Sequence, residues 1–450
     1  MPKDLVKDKI LRAYKNATLL RHFKAIGDSG AIYIYDEGTG VYRNGGRQVL
    51  GSLVQSELGI GEANNHLVSE VEGAIRREFC VDFSEFDSNP DLLCVRDGVL
   101  NLRTREIAEH SPDNLFLRSL PVHYDPNADC PAIKEFLRQI VSPRDQKLLQ
   151  QFVGFILMGG YCYHKAFILV GSGDNGKTTF LNLLQRFIGE GNYSSLTLQQ
   201  VCNEKFLIPQ LLRKLANIAP EMGRTAIKDT ESLKSLTGES SVTMQEKGER
   251  GFTAVNTAKM IFACNETPPA PTADRAFYGR FIVIPFPNKF VKGVSMIPNL
   301  VEMLSMESEL SGLLNYALEG YDSLLSDDGF DYPVDYADTR TIYQAWSGST
   351  IHKFVATMLV RDNEASIAKL RVWDEYSVFC RNNNLVAETM NAFYQELPKV
   401  LGGELTEYKE RDGEVRTNVY RGIRMLCSQF DVPAPYHHGV PLAPSTYTDD

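Results

Sequence analysis

The sequence predicts an α/β protein: a core with a largely parallel sheet, an α+β domain before it and a winged-helix-like module after it. Three observations carry that expectation. Four short apolar runs, AFILV (166–170), KLANIAP (214–220), AKMIFAC (258–264) and FIVIPF (281–286), have the composition of strands buried on both faces. Helical segments such as KTTFLNLLQRFI lie between them, as crossovers in a parallel sheet require. Near the C-terminus two helical patterns, 368–382 and 391–401, precede two β-prone stretches, 404–409 and 415–420, around Asp412-Gly413.

In chain order, Val6, Ile10, Tyr14, Ala17, Leu20 and Phe23 recur three or four apart between Lys and Arg, which predicts an amphipathic helix over 4–24. AIYIYDEGTGVYRNGG then reads as a hairpin turning at Glu37 to Gly40. From Leu92 to Tyr124 short β-prone pieces alternate with turn signals such as Arg96-Asp97-Gly98. Residues 131–160 and 297–325 have helical spacing, and a loop is expected before 368. The expected division is an N-terminal domain over 1–128, a helical collar over 129–165, the α/β core over 166–290, a helical segment over 291–345, the winged-helix-like module over 350–430 and a tail over 431–450.

Composition narrows the function classes. At ~100–200 residues per domain, 450 residues make two to four domains. With 43% hydrophobic and 23% charged residues the chain is far from the signature of disorder. The longest apolar stretch, Phe152 to Cys162, is broken by Gly154, Gly159 and Gly160 and is too short to span a membrane. The charged N-terminus does not resemble a secretory signal, so a cytoplasmic location is expected, in the host cell if the protein is viral. Eight cysteines without a CxxC pair argue against a zinc cluster or a disulfide framework. The formal charge of −10 means that any nucleic-acid site must be a local basic patch on an acidic body.

The strand AFILV runs into GSGDNGKTTF, which fills GxxxxGK[ST] in the strand, loop, helix context that the motif demands. Gly171, Ser172, Gly173, Asp174, Asn175, Gly176, Lys177, Thr178 and Thr179 are therefore the candidate phosphate-binding residues. Lys177 would reach the β and γ phosphates of ATP, and the Thr178 hydroxyl would ligate Mg²⁺. Glu221 closes LANIAPE and is the candidate acid, as metal organiser or as base; Asp229 and Glu231 stand behind it. Asn265 ends the next strand, placed to orient water or feel the γ phosphate, and a turn-forming role before Pro268 and Pro269 is the alternative. Arg280, just before FIVIPF, is either a charge neutraliser for a neighbour's nucleotide or a strand-edge arginine.

This order of parts, with LKSLTGESSVTMQEKGERGF between Glu221 and Asn265 and FIVIPFPNKF after Arg280, resembles the superfamily 3 helicases. It is most similar to the helicase part of the phage and plasmid primase-helicase family, which includes the poxvirus primase-helicase. LLCVRDGVLNLRT with LPVHYDPNADCPAIKEFL, and ELSGLLNYALEGY, extend the resemblance over roughly 20–425. The resemblance implies an AAA+-like P-loop ATPase core, with Gly171 to Thr178 as motif A, Glu221 in motif B, Lys234 to Lys247 in the intermediate motif, Asn265 as motif C and Arg280 as arginine finger. It further implies a ring, usually a hexamer, that hydrolyses ATP at subunit interfaces and draws single-stranded DNA through its centre, typically 3′ to 5′. Family members often have paired arginines where this chain has Gly279-Arg280, which leaves Arg275 as a substitute. No room exists upstream for the primase domain that many relatives carry, so the chain is either a helicase served by a primase or polymerase in trans or a fragment of a longer one.

The stretch 241–256 reads as strand, tight turn, strand, with Lys247 and Arg250 at the tip as candidate DNA-phosphate contacts. A solvated turn is the alternative. Lys409, Arg411, Arg416, Arg421 and Arg424 around the C-terminal hairpin suit either duplex DNA or a docking protein. Three functions remain open from sequence: a replication helicase acting on single-stranded and forked DNA, an ATP-switched scaffold that assembles at origins, and a packaging or remodelling ATPase acting on protein.

Overall fold

The computed structural model describes residues 3–425 apart from 28, 61, 224, 228, 239, 246, 248–250, 271–272, 334–335, 347–348, 383–384, 402–404 and 413–414. The expected tail, 431–450, lies outside the described residues. Among the described residues no helix is long and apolar enough to cross a membrane.

The first helix, Lys3–Leu20, packs Ala13 and Ala17 against Leu50 and Val54 of helix Gly46–Leu58 and Val71 and Ile75 of helix Asn65–Glu78. The hairpin turn joins Ile32–Asp36 to Val41–Asn44 with Asp36 opposite Val41, and Gly40 supplies the left-handed backbone at φ 70°. These strands continue into a four-stranded sheet through Phe23–Ile26 and Cys80–Val81. The helices 46–58 and 65–78 lay outside the sequence expectation. A small antiparallel sheet of Leu92–Val95, Gly98–Asn101 and Ile107–Ala108 follows, turning at Arg96-Asp97.

The central sheet has five parallel strands, numbered here β1 (Ala166–Val170), β2 (Tyr193–Ser194), β3 (Ala216–Ala219), β4 (Lys259–Cys264) and β5 (Phe281–Pro285), in the spatial order β5-β1-β4-β3-β2. Every residue of β1, β3, β4 and β5 is buried, as strands covered on both faces must be. The edge strand β2 has two residues, too short to leave a period in the sequence. The spatial order places β4 between β1 and β3, so the carboxyl ends of three strands converge where the strand order reverses, the usual place for a ligand in an open parallel sheet.

The helices Pro131–Ile140 and Pro143–Leu157 cover this sheet, and Glu307–Ser326 packs on the second of them at close range. A Cβ on Gly154 would lie 2.3 Å from the Tyr321 nitrogen and one on Gly320 would lie 2.2 Å from the Gln150 oxygen, so only glycine permits this approach. One apolar core runs from Leu93 to Tyr343 through the collar, the sheet and the later helices. The expected divisions at 128/129, 165/166 and 290/291 therefore fall inside a shared core.

The C-terminal region has its own core around Phe354, Tyr376, Phe393, Leu397 and Tyr420. Its elements are helix Thr350–Met358, strand Leu359–Ala368, helices Lys369–Asn382 and Met390–Val400, and strands Thr406–Asp412 and Val415–Met425. The strands form an antiparallel sheet with 415–425 in the middle. Where a loop was expected, the structure has helix 350–358 and strand 359–368; the polar run Asp362 to Ser366, where the register shifts, hides the strand's alternation.

Candidate functional site

The loop after β1 is shaped by its glycines. Gly171 has φ 153°, and a Cβ there would meet the Asn175 Nδ2 at 2.3 Å and the Phe286 oxygen at 2.6 Å. Gly176 has φ 90°, and a Cβ there would strike the Ile140 side chain at 2.6 Å. Asn175 is buried, donates to the Phe286 oxygen at 3.2 Å and accepts from Lys177 Nζ at 2.9 Å. Lys177 opens the helix Lys177–Ile188 and donates also to the Gly171 oxygen at 2.7 Å.

Lys177 is 7% exposed, and burial pushes its pKa down. Among the described residues its partners are neutral oxygens, with no carboxylate beside it, and none of the backbone N–H groups from Ser172 to Thr179 finds a protein acceptor. A desolvated cation surrounded by unspent donors at a helix N-terminus fits an anion of phosphate type.

The loop opens into a cleft of about 1220 Å³ that Gly173 to Thr179, Glu221 and Asn265 all line. Glu221 lies two residues past β3 and Asn265 one residue past β4, both exposed, so the strand order gathers residues far apart in the chain. Thr178 is also exposed there, and with Glu221 it offers hard oxygen ligands of the kind Mg²⁺ takes. Asp229 and Glu231 are not among the lining residues: Asp229 accepts from the Glu231 backbone at 2.9 Å, and Glu231 pairs with Lys234 at 2.6 Å.

Among the lining residues that the sequence did not reveal, two flank Asn265. Glu266 follows Asn265 into the cleft and pairs with Lys353 of the C-terminal region at 3.6 Å. Cys264 ends β4; burial pushes its thiol up to about 12, so it is a neutral neighbour. No spacing rule marks either one, because their place comes from the strand order.

Arg280 lies elsewhere. Its carbonyl accepts from the Ala166 nitrogen at 2.7 Å, which fixes it at the amino end of the sheet, about 16 Å from the loop by the five-residue length of β1. Its guanidinium is half-buried with lowered pKa, and among the described residues Nη1 reaches only the His164 and Thr237 oxygens, at 3.4 and 3.5 Å. Beside it Lys165 donates to the Gly279 oxygen at 2.6 Å, its pKa lowered to about 8 by burial and then by Arg280. Arg275 is exposed at the start of helix Arg275–Tyr278.

The strands Ser241–Met244 and Phe252–Val255 pair as an antiparallel hairpin with Lys247 exposed beyond them, while Arg250 lies outside the described residues. In the C-terminal sheet Arg424 pairs with Asp362 at 3.3 Å, Arg421 lies 5.7 Å from the centre of the Tyr408 ring, and Lys409 is exposed. Arg411 and Arg416 are opposite each other on the two strands.

Three family models match separate parts of the chain: "D5 N terminal like" over 10–142, a family of unknown function (DUF5906) over 169–279 and "Poxvirus D5 protein-like" over 349–424. The two D5-type matches support a phage or viral primase-helicase family for this chain. The loop 171–176, Glu221, the hairpin and Asn265 all fall inside the second match, and Arg280 is the next residue after it. The chain is 28% identical over 229 residues to the protein named "Putative helicase 121R" of Invertebrate iridescent virus 3, covering 47% of this chain and 24% of that relative. It thus spans about a quarter of that relative's length. Among solved structures it is similar to the apo NrS-1 C-terminal region (15% identity, TM-score 0.47, 92% of this chain and 99% of that one) and to an inhibitor-bound JCV helicase (15% identity, TM-score 0.24, 60% and 65%).

Proposed function

We propose that this chain is the motor part of a replication helicase: an ATP hydrolase of the superfamily 3 type, with an AAA+-like P-loop core, that moves on single-stranded DNA as a ring of identical copies. The observation that carries the reading is the desolvated Lys177 ammonium among unspent backbone donors, in the same cleft as Glu221 and Asn265. The loop donors and Lys177 would bind the phosphates of ATP. Thr178 and Glu221 would hold Mg²⁺, which when bound neutralises charge on the phosphates. Glu221 would accept the proton of the attacking water or anchor the metal, and Asn265 would orient that water. Arg280, about 16 Å from its own loop, would serve the cleft of a neighbouring copy. Lys247 and Arg250 would grip DNA phosphates, and the C-terminal helices and sheet, read as a winged helix, would meet duplex DNA or a partner of the replication machinery.

The D5-type family matches and the helicase-named relative support this over an assembly scaffold or a protein-remodelling ATPase. Strand displacement on forked DNA, run beside ATP hydrolysis with and without single-stranded DNA, tests it. Unwinding that needs ATP, and hydrolysis that DNA stimulates, are expected. Hydrolysis without unwinding or DNA stimulation would leave a remodelling ATPase, and nucleotide binding without turnover would leave a switch.

A further inference from the structure

The loop that follows Asn265 is fastened from behind. Thr267 donates its backbone N–H to the Trp346 oxygen at 2.9 Å and its hydroxyl to the Tyr343 oxygen at 2.8 Å. The Tyr343 hydroxyl donates to the Pro268 oxygen at 2.9 Å, and the Tyr278 hydroxyl donates to the Ala270 oxygen at 3.1 Å. Thr267, Tyr278 and Tyr343 are all buried, so each of these bonds satisfies a group that water does not reach.

The same two tyrosines touch the turn that carries Arg280. The Tyr343 ring packs on Tyr278 at 5.4 Å, on Phe277 at 6.0 Å and on Phe281 at 5.3 Å between ring centres. Phe277 accepts from the Arg280 nitrogen at 3.1 Å, and Phe281 is the next residue in the chain. Since among the described residues the guanidinium itself meets only two carbonyls, at 3.4 and 3.5 Å, the aim of Arg280 is set by its backbone, and this aromatic block holds that backbone.

We infer that Tyr343 and Tyr278 are positioning residues that join the Asn265 loop to the Arg280 turn, so that the occupancy of a copy's own cleft sets the aim of the arginine it presents to its neighbour. A packed block with two hydroxyl ties transmits a displacement that a solvated loop would absorb. The inference rests on the proposed roles of Asn265 and Arg280.

Tyr343→Phe and Tyr278→Phe each remove one hydroxyl and keep the ring packing, so either serves if the other fails to fold. Single-turnover ATP hydrolysis and steady-state kcat and KM are measured for the full chain with each substitution, alone and together with Arg280→Ala. Alone, each lowers kcat roughly 2- to 30-fold with KM unchanged. Added to Arg280→Ala, neither lowers the rate further, because a residue that acts through Arg280 has nothing left to position. Equal fold losses in both backgrounds would identify general packing damage and overturn the inference, as would a raised KM with unchanged kcat or no loss at all. A normal rate for Arg280→Ala by itself would instead overturn the role of Arg280, and the inference with it.

Discussion

The two ends of the central sheet share the same strands but treat their cations differently. At the carboxyl end Lys177 is buried, tied at 2.7 and 2.9 Å, and shares one cleft with side chains from three loops. At the amino end Lys165 and Arg280 lie side by side, meet backbone carbonyls, and have no carboxylate paired with them among the described residues. Two neighbouring cations depress each other's protonation, which is unfavourable unless an anion arrives. The carboxyl end is thus assembled within one chain, whereas the amino end has charge that its own chain leaves uncompensated. A site that is complete in one copy should fail in every assembly, and a site that acts on another copy should be rescued by mixing.

Lys177→Ala separates the two ends most sharply. It removes the loop's own cation, so hydrolysis should fall below detection while far-UV circular dichroism and size remain those of the parent. Substantial ATP turnover in the purified variant would remove the carboxyl-end site from the chemistry.

Arg280→Ala should cost about 10³ in kcat or more with nucleotide affinity retained, since its own cleft is intact. Mixed with Lys177→Ala protein, it should regain turnover at junctions that join an intact cleft to an intact arginine. Assemblies shown to be mixed, yet inactive, would place Arg280 in a structural role.

The difference between the ends also decides what the sequence could reveal. The place of GSGDNGKTTF at the cleft was legible because its pattern uses consecutive residues, and that of Glu221 and Asn265 because they follow apolar strands. Lys165, Glu266 and Tyr343 were not legible: each acquires its part from strand order or from a helix that packs back on the core. The same holds for the fold. Strands of four to six apolar residues were read, whereas the two-residue β2 and the strand 359–368, broken by Asp362, Asn363 and Glu364, were not.

The C-terminal region offers a smaller contrast, in stability. His352 on helix Thr350–Met358 has a shielded Nδ1 with no hydrogen-bond partner, and burial lowers its pKa to about 4. The unfolded chain, with the ordinary value near 6.5, binds a proton between pH ~6.5 and ~4 where the folded chain does not. Stability from this group is therefore full above pH ~6.5 and is lost as pH falls toward ~4, by at most about 3 kcal/mol. His352→Gln should flatten the pH dependence of the thermal midpoint in that window relative to the parent. Parallel curves for parent and variant would show that the ring is solvated in the folded protein.

The hairpin should give the smallest effect and still bears on the comparison, because it extends from the amino end of β4 and its exposed Lys247 does not line the cleft. With a net charge of −10, DNA affinity must come from a few placed cations rather than from a general field. If Lys247 contacts one phosphate, Lys247→Ala should lower the slope of log K against log salt for single-strand binding by ~0.7. Between ~50 and ~200 mM salt that slope corresponds to a change of only ~2.6-fold, so the slope and not one affinity must be measured. Basal hydrolysis should be unchanged, since Lys247 is not among the residues lining the cleft. An unaltered slope would make the hairpin a solvated turn and move the search for the DNA grip to Lys409 and the C-terminal sheet, where Arg424 is already paired with Asp362 and has less charge to offer.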